Sequence, residues 1–306
     1  MAIKEFVSIV FVFIAMFLFI FYWFIPFDAT EFLDYSTDRN FNFSLNDSDE
    51  GIQFYKNMRY PNSNISYKIY DCPLYKKNNI DQAFEIISNS TILDFYSVSY
   101  DEEISAFCSD RRKSRDGLFV AGEGGPINIT KTQDFNIIFH GEILLIKESE
   151  CAKPNIGLHE ILHALGFDHS SNKNSIMYNV SKCNQQIGQD IINKINEVYS
   201  FPSYPDLSFE NVSAVMRGKY LDANISIRNN GLSKSGKAKL IIYADEKFVK
   251  EFDLDPIEIG FGTTISLRNI WVPKINIFEL RFLIDYNLPE LKKNNNEKIL
   301  EIKNKN

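Results

Sequence analysis

The chain is 306 residues long, 44% apolar and 24% charged, which at about 150 residues per domain makes room for roughly two packed units. That excludes a disordered chain and a disulfide-stapled miniprotein. Its 33 basic side chains stand against 40 acidic ones, a net charge of −7, so no basic stripe exists to neutralise phosphates and no nucleic acid partner is expected.

Phe6 to Phe27 carries no charge over 22 residues, and at about 1.5 Å per helical residue it reaches the roughly 30 Å of a bilayer core. Lys4 precedes this run while Asp28, Glu31, Asp34 and Asp38 follow it, so the expected topology is a single-pass signal anchor at 6–27 in the cell membrane. Its N-terminus would be cytoplasmic and the remainder extracytoplasmic. Secretion after signal cleavage is the alternative, but that needs an apolar region of about 7–15 residues and a small-x-small site, neither of which is present. Eight Asn-x-Ser/Thr triplets, from Asn42 to Asn224, all follow the run; export and an Asn-rich composition both account for them. Four cysteines, Cys72, Cys108, Cys151 and Cys183, allow three pairings, and two disulfides are expected in an oxidising compartment.

Residues 28–60 are acidic, show no helical or alternating period and read as a stalk. Residues 61–201 mix short apolar runs with helical stretches and read as α+β. One helix is expected to start at Asn79, with Gln82 completing a capping-box-like pattern and Ile80, Ala83, Phe84 and Ile87 on one face. After Pro202 and Pro205 the period changes to two: Leu221, Ala223, Ile225 and Ile227, then Ala238, Leu240, Ile242 and Ala244, then Phe278, Leu280, Phe282 and Ile284. Residues 205–303 are therefore expected to form an all-β immunoglobulin-like sandwich.

Of only four histidines, three fall within HEILHALGFDH, as His159, His163 and His169. Residues four apart on a helix are offset by about 40° and one turn, so His159 and His163 project toward a common point. Leu158, Leu162 and Leu165 occupy another stripe, suited to packing the helix on a core. Gly166 supplies the positive φ that ends a helix, which lets His169 return as a third ligand. Three neutral nitrogens at about 2.0–2.1 Å leave zinc's fourth position open for water, and Glu160 stands ready as the general base. The implied chemistry is metal-assisted amide hydrolysis.

The string is similar to the metzincin zinc-peptidase signature HExxHxxGxxH, and Ser175-Ile176-Met177-Tyr178 resembles that family's Met-turn. Within the metzincins the matrixin branch is most similar, because HALGFDHSS, IMY and the stretch from Ile187 to Tyr199 resemble it in residues and spacing. The resemblance implies a twisted mixed sheet with helices, one catalytic zinc held by His159, His163 and His169, Glu160 as general base and Met177 as the apolar floor of the metal site. Tyr178, Asn179 and Val180 would border the pocket for the side chain after the cleaved bond. Pro126 to Lys147, ending in Ile143–Ile146, would take the place of the family's edge strand, on which an extended peptide pairs. A Cys151–Cys183 bridge would fix both sides of the cleft and leave Cys72 with Cys108.

Departures from the family are also visible. Asn179 stands where matrixins usually have Pro, and only His140 remains for a structural zinc, so a second zinc is not expected and His140 reads as a strand residue. No cysteine lies upstream of Cys72, so the family's propeptide cysteine switch is not expected. Calcium is left open. Residues 206–303 resemble CARDB-type modules at Ser226–Gly231 and at Pro289–Asn296 before Lys298–Ile302; such a module would present, space or bind substrate or a cell-surface partner. The combined expectation is a membrane-anchored, exported zinc endopeptidase acting on proteins or peptides. The alternative is an adhesion or scaffold protein with a non-catalytic peptidase-like fold.

Overall fold

The computed structural model describes residues 10–17, 30–34, 51–110, 113–115, 118–147, 151–274 and 277–302. Residues 10–17 form a helix, α1, and the remainder of the predicted anchor lies outside the described residues. Among the described residues no helix is long and apolar enough to cross a membrane. The next element is a strand, β1 (Thr30–Asp34).

The first unit is built on a twisted sheet of β2 (Met58–Arg59), β3 (Asn64–Tyr70), β4 (Asp94–Ser97), β5 (Ile104–Cys108), β8 (Gly122–Lys131) and β9 (Asn136–Leu145). A small hairpin, β6 (Lys113–Arg115) and β7 (Leu118–Val120), lies apart from it. The order is β2-β9-β5-β3-β4, all parallel, with β8 antiparallel on β9. Three helices complete the unit: α2 (Leu74–Ser90), α3 (Asn155–Ala164) and α4 (Gln189–Tyr199). Ile80, Ala83, Phe84 and Ile87 of α2 are buried as their spacing predicts, in one core with Ile65, Ile104 and the apolar face of α3. Phe84 stacks on Tyr67 with ring centroids 4.1 Å apart.

α2 starts five residues before the predicted Asn79, after Pro73. Its first turn is hidden from a periodicity count because it exposes Leu74 and Tyr75 and buries Lys76. The Lys76 ammonium donates to the carbonyls of Ser109 and Ile146, at 3.0 and 3.1 Å, and to Asp110 at 2.8 Å. The stretch expected at the edge, Pro126 to Lys147, spans two strands, with Pro126–Lys131 in β8 and its apolar end in β9. Ile143–Leu145 is interior, paired with β5 on one side and β8 on the other, whereas the edge is β8, whose sequence GEGGPINITK has too many glycines to show a strand period.

The second unit contains β10 (Leu207–Arg217), β11 (Tyr220–Asn229), β12 (Ala238–Ala244), β13 (Lys247–Leu254), β14 (Gly262–Trp271), β15 (Glu279–Asp285) and β16 (Glu297–Ile302). All pairings are antiparallel. β10-β11-β14 and β13-β12-β15-β16 share one core, in which the alternating residues of β11, β12 and β15 are buried. Phe278 is the exception, exposed just ahead of β15.

The 28–60 segment read as a stalk contributes to both units. β1 pairs with β10 and β16, closing the gap between the two halves of the sandwich. Met58, Arg59 and Tyr60 are fully buried in the first unit. Neither piece is long enough to show a period, and each takes its partners from residues distant in the chain. The units meet through a small apolar cluster of Phe135, Ile137, Leu232 and Ile259, with Lys292 paired to Asp134 at 2.6 Å.

Arg59 ties the start of the first unit to its end. Its guanidinium donates to the carbonyls of Tyr60, Pro61, Val198 and Phe201 and lies 4.5 Å from the centre of the Tyr199 ring. Burial lowers its pKa to about 10, so it stays charged at neutral pH. An Arg59→Met substitution leaves these carbonyls unpaired and is expected to destabilise the first unit by about 2–4 kcal/mol. The midpoint of its urea transition measures this.

Candidate active site

α3 forms because Leu158, Ile161 and Leu162 seat one side of it in the core. Gly166, at φ 95°, turns the chain after it, and there a Cβ would come within 2.7 Å of the Met58 Cβ. Phe167 N then donates to Leu162 O at 3.0 Å, and the chain returns His169 to the helix. The three imidazoles converge. Nε2 of His163 lies 3.0 Å from that of His159 and 3.3 Å from that of His169, and the His159–His169 pair is also at 3.3 Å.

Two of the rings have their orientation fixed from behind. His159 Nδ1 donates to Ile176 O and His163 Nδ1 to Phe167 O, each at 2.7 Å. With the proton on Nδ1, each neutral ring presents a bare lone pair at Nε2. Two such lone pairs 3.0 Å apart repel unless a cation lies between them. Tetrahedral ligation at about 2.0–2.1 Å places nitrogens about 3.3 Å from one another, so the donor set fits a zinc ion. Burial lowers the pKa of His159, and it lowers that of His163 to about 4 with His159 adding to the effect. Both rings are thus held neutral. His169 is exposed, and the cluster opens on that side.

Glu160 is 5% exposed. Burial first, then the charge of Glu123 on β8, raises its pKa to about 8. β8 crosses α3 here without side chains in the way: a Cβ on Gly122 would lie 2.7 Å from Glu160 Oε1, and one on Gly124 would lie 2.4 Å from Glu160 O. Only glycine permits that approach.

Met177 is buried in the core, and its carbonyl accepts from Ser170 N, the residue after His169, at 2.8 Å. Tyr178 is half-buried, while Asn179 and Val180 are exposed at the start of the following loop. The structure pairs Cys151 with Cys183, bridging the entry to α3 and that loop, and Cys72 with Cys108. His140 lies in β9, with Nδ1 3.1 Å from Glu102 O and Nε2 3.2 Å from Ser105 Oγ.

Several residues that shape this site belong to no motif or period in the sequence. Phe54 stacks on His163 at 5.7 Å, and its N–H donates to Gly166 O at 2.9 Å. Gln185, almost fully buried, accepts from Lys182 N at 2.8 Å and donates to Val180 O at 2.9 Å. Asn155, the first residue of α3, donates to Lys182 O at 2.7 Å. Only the Gly122–Gly125 cluster left a trace in the sequence, since glycine inside a strand marks a close backbone approach.

Residues 59–200 match the matrixin family model, and residues 204–299 match the CARDB family model. The chain carries a matrixin domain followed by a CARDB domain. Among solved structures, the matrixin domain is similar to myroilysin, at 14% identity over 46% of this chain and 82% of that one, with a TM-score of 0.32. It is also similar to high choriolytic enzyme 1, a hatching enzyme zinc-protease from Oryzias latipes, at 16% identity over 46% of this chain and 90% of that one, with a TM-score of 0.28. The CARDB domain is similar to a CARDB domain from Pyrococcus furiosus in complex with di-metal ions, at 16% identity over 32% of this chain and 87% of that one, with a TM-score of 0.28. No curated protein matches the chain.

The Glu160 environment gives a stability signature. Its pKa in the metal-free fold is about 8 against an ordinary 4.5, so between these values the folded chain binds more protons than the unfolded one, and stability falls as pH rises. Removing the charge with Glu160→Gln is expected to stabilise the metal-free protein by a few kcal/mol above pH 8 and to leave it nearly unchanged below pH 4.5. Urea titrations of both proteins across this range check it.

Proposed function

We propose that the chain is an exported zinc endopeptidase that cleaves proteins or peptides, with Glu160 as general base. The observation that carries this reading is the convergence of three Nε2 atoms within 3.3 Å of one another beside a buried carboxyl, Glu160. His159, His163 and His169 would hold the metal. Bound zinc supplies Lewis acidity, which polarises a scissile carbonyl and acidifies water.

Everything else is the work of the chain. Glu160 takes a proton from the attacking water and delivers it to the leaving amine, a role that its carboxyl, next in the helix to His159, is placed to perform. Gly122 and Gly124 let β8 approach α3 at Glu160, which sets the edge strand beside the general base, and an extended substrate can add as a strand along that edge. Tyr178, Asn179 and Val180 would border the pocket for the residue after the cut, and Met177 would supply the apolar floor of the metal site. Likeness to the matrixin family supports the roles given to Glu160, Met177 and Tyr178–Val180.

Glu160→Ala is expected to lower kcat for casein or a peptide library by about 10²–10⁴-fold while the protein retains one zinc. His163→Ala is expected to lose both zinc and activity. A zinc-loaded wild-type chain that cuts none of several proteins would favour a binding scaffold instead.

The same reading places the enzyme at a membrane through Phe6–Phe27, supported by the absence of charge in that run and by Lys4 ahead of it. The two disulfides support an oxidising compartment. The full chain is expected to stay with membranes through alkaline carbonate washing, whereas a chain starting at Asp28 is expected to be released.

A further inference from the structure

At the junction of the two domains, the linker and the closing loop of the sandwich build a second polar centre. Asp206 is 0% exposed and Asn296 is 6% exposed. Three hydrogen bonds join the linker to the loop. Asn295 Nδ2 donates to Asp206 Oδ1 at 2.8 Å, Asn296 Nδ2 to Glu290 Oε2 at 2.6 Å, and Leu207 N to Glu290 Oε1 at 2.9 Å. Since 206 and 207 are neighbours, as are 295 and 296, these bonds close into a ring whose donors are spent on carboxylates.

Three buried acceptors remain without a partner: Asp206 Oδ2, Asn295 Oδ1 and Asn296 Oδ1. The oxygen and nitrogen of an amide are about 2.2 Å apart, so Asn295 Oδ1 lies within about 5 Å of Asp206 Oδ1. Buried polar atoms are nearly always satisfied, and unpartnered oxygens grouped with two carboxylates call for a group that brings positive charge. The charges are strained in the same sense. Burial, the largest cause, raises the pKa of both Asp206 and Glu290; Asp206 raises that of Glu290 further, while the hydrogen bonds they accept and the charges of Lys292 and Lys293 lower them in part. Lys292 is close enough to favour the Asp206 anion, but its hydrogen bond goes to Asp134, at 2.6 Å, and Asp206 Oδ2 stays without a donor.

We propose that Asp206, Glu290, Asn295 and Asn296 form a calcium site that locks the closing loop of the sandwich to the interdomain linker. The donors are all oxygens, which selects hard cations over zinc or copper. Two carboxylates and two amide carbonyls on an irregular loop suit the 6–8 ligands and flexible geometry of calcium, with water completing the shell; magnesium demands a stricter octahedron. The loop that supplies the ligands also supplies Leu291 to the interdomain apolar cluster and Lys292 to Asp134. A bound cation therefore stiffens the joint between the domains. This site is separate from the histidine cluster and does not depend on the peptidase reading.

The test is calorimetric titration of CaCl2, and separately MgCl2, into the zinc-loaded full chain after EGTA has removed calcium. Melting curves are recorded alongside. Calcium is expected to bind once per chain, at or below the roughly 10⁻⁴–10⁻³ M typical of extracellular modules, and to raise the melting temperature. Asp206→Asn is expected to weaken calcium binding at least about tenfold, and Asn295→Asp, which adds a charged ligand, to tighten it; zinc content and the far-UV spectrum should match wild type. If Asp206→Asn does not fold, Glu290→Gln takes its place. The proposal is overturned by an absence of calcium binding up to about 10 mM, by tighter binding of magnesium than calcium, or by carboxylate and Asn295 variants that bind calcium as wild type does.

Discussion

The active-site geometry depends on two backbone carbonyls, those of Ile176 and Phe167, which take the Nδ1 protons of His159 and His163. Each bond contributes only about 1 kcal/mol to stability, but it sets which nitrogen of the ring is bare and where that nitrogen points. Neither carbonyl belongs to a helix or to a strand of the main sheet. Phe167 follows the Gly166 turn, and Ile176 is held by its own N–H donating to Gln186 O at 2.8 Å. The cluster is thus assembled by a loop folded back on a helix. Gln185, Asn155 and the Cys151–Cys183 bridge all hold that loop in place.

Glu160 shows the cost of this arrangement. A carboxylate placed among apolar residues is disfavoured as an anion, and Glu123 adds to the effect. Surrounding contacts outweigh this: Ile161 and Leu162, on either side of the core-facing helix surface, are fully buried. The same burial that weakens the metal-free fold keeps the carboxyl out of bulk water, beside the histidine cluster. Stability is given up at the residue assigned the proton transfer.

The legible parts of the sequence were those with a short period or an invariant spacing. The faces of β11, β12 and β15, the apolar side of α2 and the histidine cluster all follow from side-chain repeats within one element. What escaped was determined by partners far along the chain. β1 finds β10 and β16 across more than half the sequence, Phe54 reaches His163 from a segment with no pattern, and the first turn of α2 buries a lysine whose acceptors are carbonyls of other segments. The edge strand was only half located, for a related reason: the expected stretch took in the end of β8 but ran on through β9. An apolar run signals burial on both flanks, and the strand left open at the rim is the glycine-rich one that propensity alone would not select.

β8 also explains why the two domains are joined where they are. Its ten residues, at about 3.3 Å each, extend for some 33 Å. One end passes the Glu160 carboxyl, and the other leads into the turn at 132–135 that meets the sandwich. There Lys131 O accepts from Arg228 at 3.0 Å, Gln133 N donates to Asn230 at 3.2 Å, and Phe135 enters the shared apolar cluster. Gly260 of the sandwich sits so near β8 that a Cβ on it would be 2.2 Å from Thr130 Cγ2. A glycine-rich strand that pairs on one side only, with β9, among the described residues is poorly constrained by its own side chains. Fixing its far end to a second domain restrains it without covering the rim beside Glu160, so the sandwich can support the cleft without occupying it.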